Sequence, residues 1–151
     1  MRRFVYLIAA CLIAAQGPLS SGAAEPNSGV EFRTVEIYLD PKGKPLAAYQ
    51  LDWTITSHDA KIVGIEGGED AAFQEPPYYD PQAIQHERVV VAAFKVASER
   101  NLPKHRTRVA TIHLQTKAGA SCRYKFEKAE AATSNGGRIS IEASIQERNG
   151  P

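Results

Sequence analysis

The sequence predicts an all-β domain, a sandwich or a barrel, in which each strand packs one face on a core. Apolar and polar residues alternate with a period of two along much of the chain after residue 30. Turn-forming Gly, Pro, Asn and Asp residues interrupt the alternation at intervals of about 8–12 residues. No segment from residue 25 onward carries apolar residues at helical spacing. Together these observations favour about seven or eight short strands.

Four alternating segments are predicted to be strands that bury one face. The second of them places Trp53, the only tryptophan, on the same face as Leu51 and Ile55, which predicts a buried indole. Two further apolar runs, at 61–65 and 89–94, lack strict alternation, and the second is expected to be a central or covered strand. The four alternating segments cover residues 35–39, 51–56, 110–115 and 139–146.

Polar connections separate these segments. Residues 40–45 combine an Asp-Pro pair with a glycine, and residues 117–120 contain a second glycine turn. The stretch Asn135-Gly136-Gly137 is of the type that favours a tight hairpin. Connections of this length agree with short antiparallel strands.

The N-terminus has the three regions of a secretory signal peptide. Two arginines precede an uncharged apolar run at 4–15, and helix-breaking and small residues follow it. The run is shorter than the roughly 20 residues that span a bilayer, so we expect no membrane span. We predict a signal peptide over 1–24, a short linker over 25–30 and the domain over 31–148. The mature protein would then be secreted, periplasmic or part of the cell envelope.

The two cysteines predict no intrachain disulfide. Cys11 follows Ile-Ala-Ala in a pattern similar to a lipobox, so an acylated Cys11 is an alternative to ordinary cleavage. In the preferred interpretation Cys11 leaves with the signal peptide, and Cys122 is then the single remaining thiol. Because Cys122 alternates with two aromatic residues, we expect it in the core.

Charge and motifs argue against several classes of function. The chain carries 18 Lys and Arg against 17 Asp and Glu, a net charge of +1, which gives no electrostatic footprint for nucleic acid. It has no Gly-x-Ser-x-Gly elbow and no glycine-rich phosphate loop. The consecutive Ser57-His58-Asp59 do not predict a catalytic triad, because neighbours on a strand point to opposite faces. We expect no enzyme, with a small hydrolase that joins two distant carboxylates as an alternative.

Metal ligation is confined to one acidic loop. The four histidines show no zinc-ligand spacing. Glu66, Glu69 and Asp70 lie in a glycine-containing loop, and carboxylates and loop carbonyls are the ligands that Ca²⁺ prefers. Their spacing is not that of an EF-hand, so a solvated acidic loop is the favoured interpretation and a calcium site is the alternative.

Adjacent tyrosines form the best candidate for a binding site. Tyr78 and Tyr79 stand between Pro77 and Asp80 in a segment that we expect to be a loop. Flat aromatic faces beside hydrogen-bonding groups suit both sugars and protein surfaces. Tyr78, Tyr79 and Asp80 are therefore the candidate ligand-binding residues. The alternative is that one tyrosine closes the end of the domain and stiffens the loop.

Six segments, in this order, resemble the cohesin-like domain, a β-sandwich related to cellulose-binding modules. The resemblance spans about residues 31 to 116, and its motifs are loose apolar patterns. The matching segments are VEIYLD at 35–40, LAAYQL at 46–51, VGIEGG at 63–68, FQEPPYYD at 73–80, VVVAAF at 89–94 and RVATIHL at 108–114.

The resemblance implies a jelly-roll sandwich of about nine antiparallel strands that binds without catalysis. Cohesins hold dockerin modules, and their relatives hold polysaccharide, so we expect a secreted binding module for a polysaccharide or a protein partner. The chain shows a single copy of the domain with no enzyme module. An alternative from another class is a structural protein of an envelope or extracellular assembly, which would pair through exposed strand edges.

Overall fold

The all-β prediction is confirmed by nine strands in the residues that the structure describes. A computed structural model describes residues 29–56 and 59–149, and the predicted signal peptide over 1–24 lies outside them. Two short 3₁₀ turns occur at Ala83–His86 and Glu99–Asn101, and no helix among these residues has the length and apolar character needed to cross a membrane. The strands are β1 (Val30–Asp40), β2 (Ala48–Ile55), β3 (Lys61–Gly67), β4 (Tyr78–Tyr79), β5 (Arg88–Phe94), β6 (Thr107–Lys117), β7 (Tyr124–Ala132), β8 (Arg138–Ile139) and β9 (Glu142–Asn149).

The nine strands form two sheets. One sheet has four strands in the order β3-β6-β1-β9, and the other has five in the order β4-β5-β2-β7-β8. All pairings within both sheets are antiparallel. Strands that follow one another in sequence mostly lie in different sheets, so most connections cross from one layer to the other.

The two sheets enclose one apolar core. Trp53 is fully buried in this core and meets Tyr124 edge to face with the ring centroids 5.6 Å apart. Alternation identified the inward faces of β1, β2 and β6 correctly, because burying one face of a strand requires every second side chain to be apolar. The buried residues predicted on these three strands are Val35, Ile37, Leu39, Leu51, Trp53, Ile55, Ala110, Ile112 and Leu114.

A β-bulge in β6 lets two consecutive residues face inward. The register between β1 and β6 shifts between Ile37 and Tyr38, which leaves Val109 without a direct partner on β1. Val109 and Ala110 are both fully buried. The carbonyl of Val109 accepts a hydrogen bond of 3.0 Å from Oη of Tyr49, and this bond connects the two sheets because Tyr49 belongs to β2.

The prediction of a single strand over 139–146 is wrong, because two strands, β8 and β9, cover this segment. Ile139 of β8 lies opposite Ala131 in the five-stranded sheet, whereas Ile145 of β9 lies opposite Ile37 in the four-stranded sheet. The chain crosses between the sheets at residues 140 and 141. Its alternation continues through the crossing because both halves turn apolar side chains toward the same core.

Two local predictions also differ from the structure. Tyr78 and Tyr79, expected in a loop, form the two-residue strand β4, which pairs with β5. Cys122, expected in the core, is half-buried at the core margin because it precedes β7 and does not lie within it. The tight connection predicted between β7 and β8 is present, with Gly136 at a φ of +81°.

Candidate functional site

The outer face of the five-stranded sheet carries a trough with a floor of small side chains. Strand register places Ala48 between Phe94 and Ala132, and places Gln50 between Ala92 and Glu130. The alanines leave the middle of the sheet lower than the side chains on either side. The resulting trough has a volume of about 380 Å³, within the range of small-molecule sites.

Two aromatic rings form one wall of the trough. Tyr78 of β4 and Phe94 of β5 lie with their centroids 6.3 Å apart and their planes inclined by 10°. Their residues are 73% and 64% exposed, respectively, so most of each ring surface faces solvent. Large apolar surfaces left in water beside a concave floor are typical of binding sites and not of a core.

Charged side chains stand on the opposite side of the trough. Arg138 of β8 donates from Nη2 to Oε1 of Glu130 over 2.9 Å, and Nζ of Lys128 lies 2.8 Å from Oε2 of the same carboxylate. The hydrogen bond from Lys128, and then the charge of Arg138, lower the pKa of Glu130. Glu130 is therefore a carboxylate at neutral pH. Gln50 adds an exposed amide to the floor between the two walls.

Of the three residues predicted to bind ligand, only Tyr78 lines this trough. Tyr79 lies opposite the inward-facing Val91, so its side chain projects from the core-side face of the sheet and not into the trough. At this edge of the sheet it is still 50% exposed. Asp80 forms a turn, because its Oδ1 accepts the backbone N–H of Gln82 at 2.8 Å and starts the 3₁₀ turn that follows. The two adjacent tyrosines therefore belong to different surfaces.

The sequence did not single out Phe94, Glu130 or Arg138. Phe94 ends the apolar run 89–94, which the sequence predicts to be a central or covered strand, and β5 does lie between β4 and β2. Its partner β4 has only two residues and stops short of Phe94, which leaves the ring exposed. Strand pairing brings Glu130 and Arg138 to the trough from β7 and β8, and no local sequence signal marks such a pairing.

The three acidic residues proposed as calcium ligands each lie close to a different partner within the protein. Oε1 of Glu66 lies 3.1 Å from Nε2 of His113, and Oε1 of Glu69 accepts the backbone N–H of Arg108 at 2.9 Å. Asp70 accepts a backbone N–H two residues farther along the chain, at 2.8 Å. Across residues 29–56 and 59–149, no group of three or more His, Cys, Asp or Glu side chains is arranged to hold a metal ion.

On the outer face of the four-stranded sheet, several charged and polar side chains bond to one another around Glu36. The side chain of Glu36 is 4% exposed and accepts hydrogen bonds from Arg148 and, at 3.0 Å, from Oη of Tyr38. Burial by itself would raise the pKa of Glu36, but the bonds from Arg148 and Tyr38 outweigh it and lower this pKa. Arg106 covers the ring of Tyr38, with the guanidinium carbon 3.7 Å from its centroid.

No protein-family model matches the chain, and no curated protein matches it in sequence. Ser57 and His58 of the rejected triad lie outside the described residues.

Proposed function

We propose that this chain is an exported, non-catalytic binding module that holds a polysaccharide in the trough of its five-stranded sheet. One observation carries the proposal: an exposed aromatic wall faces a charged wall across a floor of small side chains. The module is proposed to be a cohesin-like jelly roll. Frequent exchange of consecutive strands between two antiparallel sheets supports this assignment.

The two walls match the two chemistries of a sugar ring. A pyranose presents C–H groups on its faces, which pack on aromatic rings such as Tyr78 and Phe94. Its hydroxyl groups point outward from the ring edge and form hydrogen bonds with charged groups such as Arg138 and Glu130. The amide of Gln50 both donates and accepts between the walls. A trough of about 380 Å³ holds a short stretch of a glycan chain and leaves its ends free.

A polysaccharide fits this surface better than a protein partner does. Stable protein interfaces cover about 800 Å² on each side and use anchors that are buried in pockets. Here the aromatic residues form one narrow wall, and the charges opposite are already paired with one another. Export is supported by the signal-like residues 1–24. N-terminal sequencing of the protein from cells that export it tests this part, and a retained residue 1 contradicts it.

The binding experiment compares aromatic residues inside and outside the trough. A glycan microarray of plant and bacterial polysaccharides identifies the ligand, and calorimetry with the best soluble glycan gives its affinity. Tyr78→Ala and Phe94→Ala should each weaken binding by about tenfold, or roughly 1.4 kcal/mol. Tyr79→Ala is the matched control, because Tyr79 is exposed on the other face of the same strand. Each variant should melt close to the parent, because exposed substitutions change stability little.

Three results would contradict the proposal. The first is that the folded protein binds no glycan on the array. The second is equal loss of affinity in Tyr78→Ala and Tyr79→Ala, since the trough would then not be the site. The third is a protein partner. If a protein captured from the producing organism binds through Tyr78 and no glycan competes, the partner is a protein and the polysaccharide assignment is wrong.

A further inference from the structure

The two sheets have four edges, and three of them are short or irregular. The edge strands β4 and β8 contain two residues each. The edge strand β3 contains a register break between Ile62 and Gly64, which leaves Val63 unpaired. Short strands and bulges are the usual means by which proteins prevent sheet edges from pairing with other chains. The fourth edge, β9, has neither feature.

Strand β9 presents a long regular edge. It pairs with β1 over eight consecutive positions without a register break. Within the described part of the chain, no backbone hydrogen bond from outside that ladder reaches residues 142–149. In an antiparallel ladder, alternate residues point their N–H and C=O groups away from the partner strand. The outer edge of β9 is therefore a row of backbone groups that can accept another strand.

The one charge that β9 turns toward the core does not protect this edge. Inward-pointing charges on edge strands normally oppose pairing. The carboxylate of Glu147, however, accepts a bond of 2.9 Å from Nη1 of Arg33 and another of 2.9 Å from Oη of Tyr124. Both bonds lie within one copy of the chain. Glu147 is thus neutralised and held before any second strand arrives.

The sequence of β9 is complementary to itself. If two copies pair antiparallel about Ile145, Glu142 lies opposite Arg148 of the second copy, and Ser144 lies opposite its Gln146. Ile145 then meets Ile145. A shift of two residues in either direction separates Glu142 from Arg148, so this register is the one that pairs opposite charges. Their side chains are 69% and 62% exposed, and each already has a partner in its own copy, Lys42 for Glu142 and Glu36 for Arg148. The contact across the interface would therefore join two existing ion pairs. Opposite charges facing each other on paired strands stabilise by about 0.2–1 kcal/mol.

The same register also closes an apolar groove. A groove of about 420 Å³ runs between β9 and β7, where the two sheets separate at this side of the domain. Pairing about Ile145 keeps the core-facing residues of both copies on one side of the joined sheet, because opposite residues share a face. The Ile145 of each copy would then cover the groove of the other. The groove is lined by Tyr124, Phe126, Ala143, Ser144, Ile145 and Glu147.

We propose that two copies of this chain associate through antiparallel pairing of their β9 strands into one continuous eight-stranded sheet. The interface is isologous, so the same residues serve both sides. The proposed interface lies on a different sheet from the trough. The association of two copies does not depend on the assignment of a polysaccharide ligand to the trough.

Light scattering after size-exclusion chromatography tests the association. The chain, as its producing cells process it, should shift from monomer to dimer as its concentration rises. Glu142→Arg places like charges opposite each other at both ends of the interface, and we expect it to raise the dissociation constant at least tenfold. Glu66→Arg is the matched control, because its side chain is 66% exposed on β3, the opposite edge of the same sheet. It should leave the dissociation constant unchanged.

A disulfide experiment tests the register independently of the charges. In a Cys11→Ser, Cys122→Ser background, Ile145→Cys places two thiols opposite each other at the symmetry axis, where oxidation should link them. Ala143→Cys is the control, because in this register residue 143 faces residue 147 of the second copy and should not cross-link. Circular dichroism and thermal melting establish that each variant is folded.

Three results would overturn the proposal. A monomer at every concentration excludes the association. Equal increases of the dissociation constant in Glu142→Arg and Glu66→Arg show that association depends on the net charge of the protein and not on pairing of the β9 strands. Equal cross-linking of Ile145→Cys and Ala143→Cys excludes the register.

Discussion

Replacing Trp53 with alanine measures how much the core depends on one residue. A buried tryptophan removes up to about 250 Å² from water, worth roughly 6 kcal/mol at ~25 cal/mol/Å². Residual structure in the unfolded chain lowers such values by about 10–40%. The edge-to-face contact with Tyr124 adds about 0.5–1.5 kcal/mol.

An opposing contribution comes from the indole nitrogen. Nε1 of Trp53 is buried, and no acceptor among the described residues bonds to it. Removing an unpaired buried donor offsets this loss in the free energy of unfolding by about 1–3 kcal/mol. Alanine also keeps a small part of the buried area. We therefore expect Trp53→Ala to lower the free energy of unfolding by about 3 kcal/mol, at the low end of the range for buried aromatic residues.

Urea unfolding followed by far-UV circular dichroism measures this loss, since the variant lacks the only tryptophan and its fluorescence. Trp53→Phe keeps a ring beside Tyr124 and removes the unpaired N–H, so it should cost clearly less than Trp53→Ala. The control is Phe94→Ala, on the same sheet but 64% exposed, which should change stability by less than about 0.5 kcal/mol. A loss below about 1 kcal/mol for Trp53→Ala, or an equal loss for Phe94→Ala, would refute the assigned faces.

Three further predictions concern single contacts. Tyr49→Phe removes the bond to the Val109 carbonyl and should cost about 1 kcal/mol in urea unfolding, whereas no loss would show that the carbonyl finds another donor. Because its folded pKa is lowered, Glu36 stabilises the protein above the ordinary glutamate pKa, and this contribution is lost as the pH falls through the folded value. The urea midpoint of the protein should therefore fall on acidification, and the midpoint of the Glu36→Gln variant should fall less steeply. Parallel dependence of the two midpoints on pH would contradict this. Gly68→Ala places a Cβ 2.1 Å from a backbone carbonyl of β6 and should lower the melting temperature far more than Gly137→Ala, which meets only side-chain oxygens at 3.1 and 3.3 Å.

From the sequence, a residue of the candidate site could be predicted only where its immediate neighbours in the chain marked it as unusual. Tyr78 stood out because adjacent tyrosines beside a proline are unusual in a core strand, and it does line the trough. Tyr79 shared that signal, yet the pleat of β4 sends the two rings to opposite faces. Phe94 carried no signal, because its exposure results from β4 ending before it. Arg138 reaches the trough because Ala132, its partner on β7, also lies beside Ala48.

The sequence by itself determined the class of the fold and the inward face of most strands. Period-two alternation is a local property, because each side chain faces core or water according to its own position in the pleat. Tertiary structure alone decided which strands are neighbours, where the chain crosses between sheets at residues 140 and 141, and which side chains form the trough. These outcomes depend on pairing between segments far apart in the chain, and alternation is the same whichever partner a strand takes. The free edge of β9 is decided in the same way, since a strand becomes an edge only when no other described segment lies beside it.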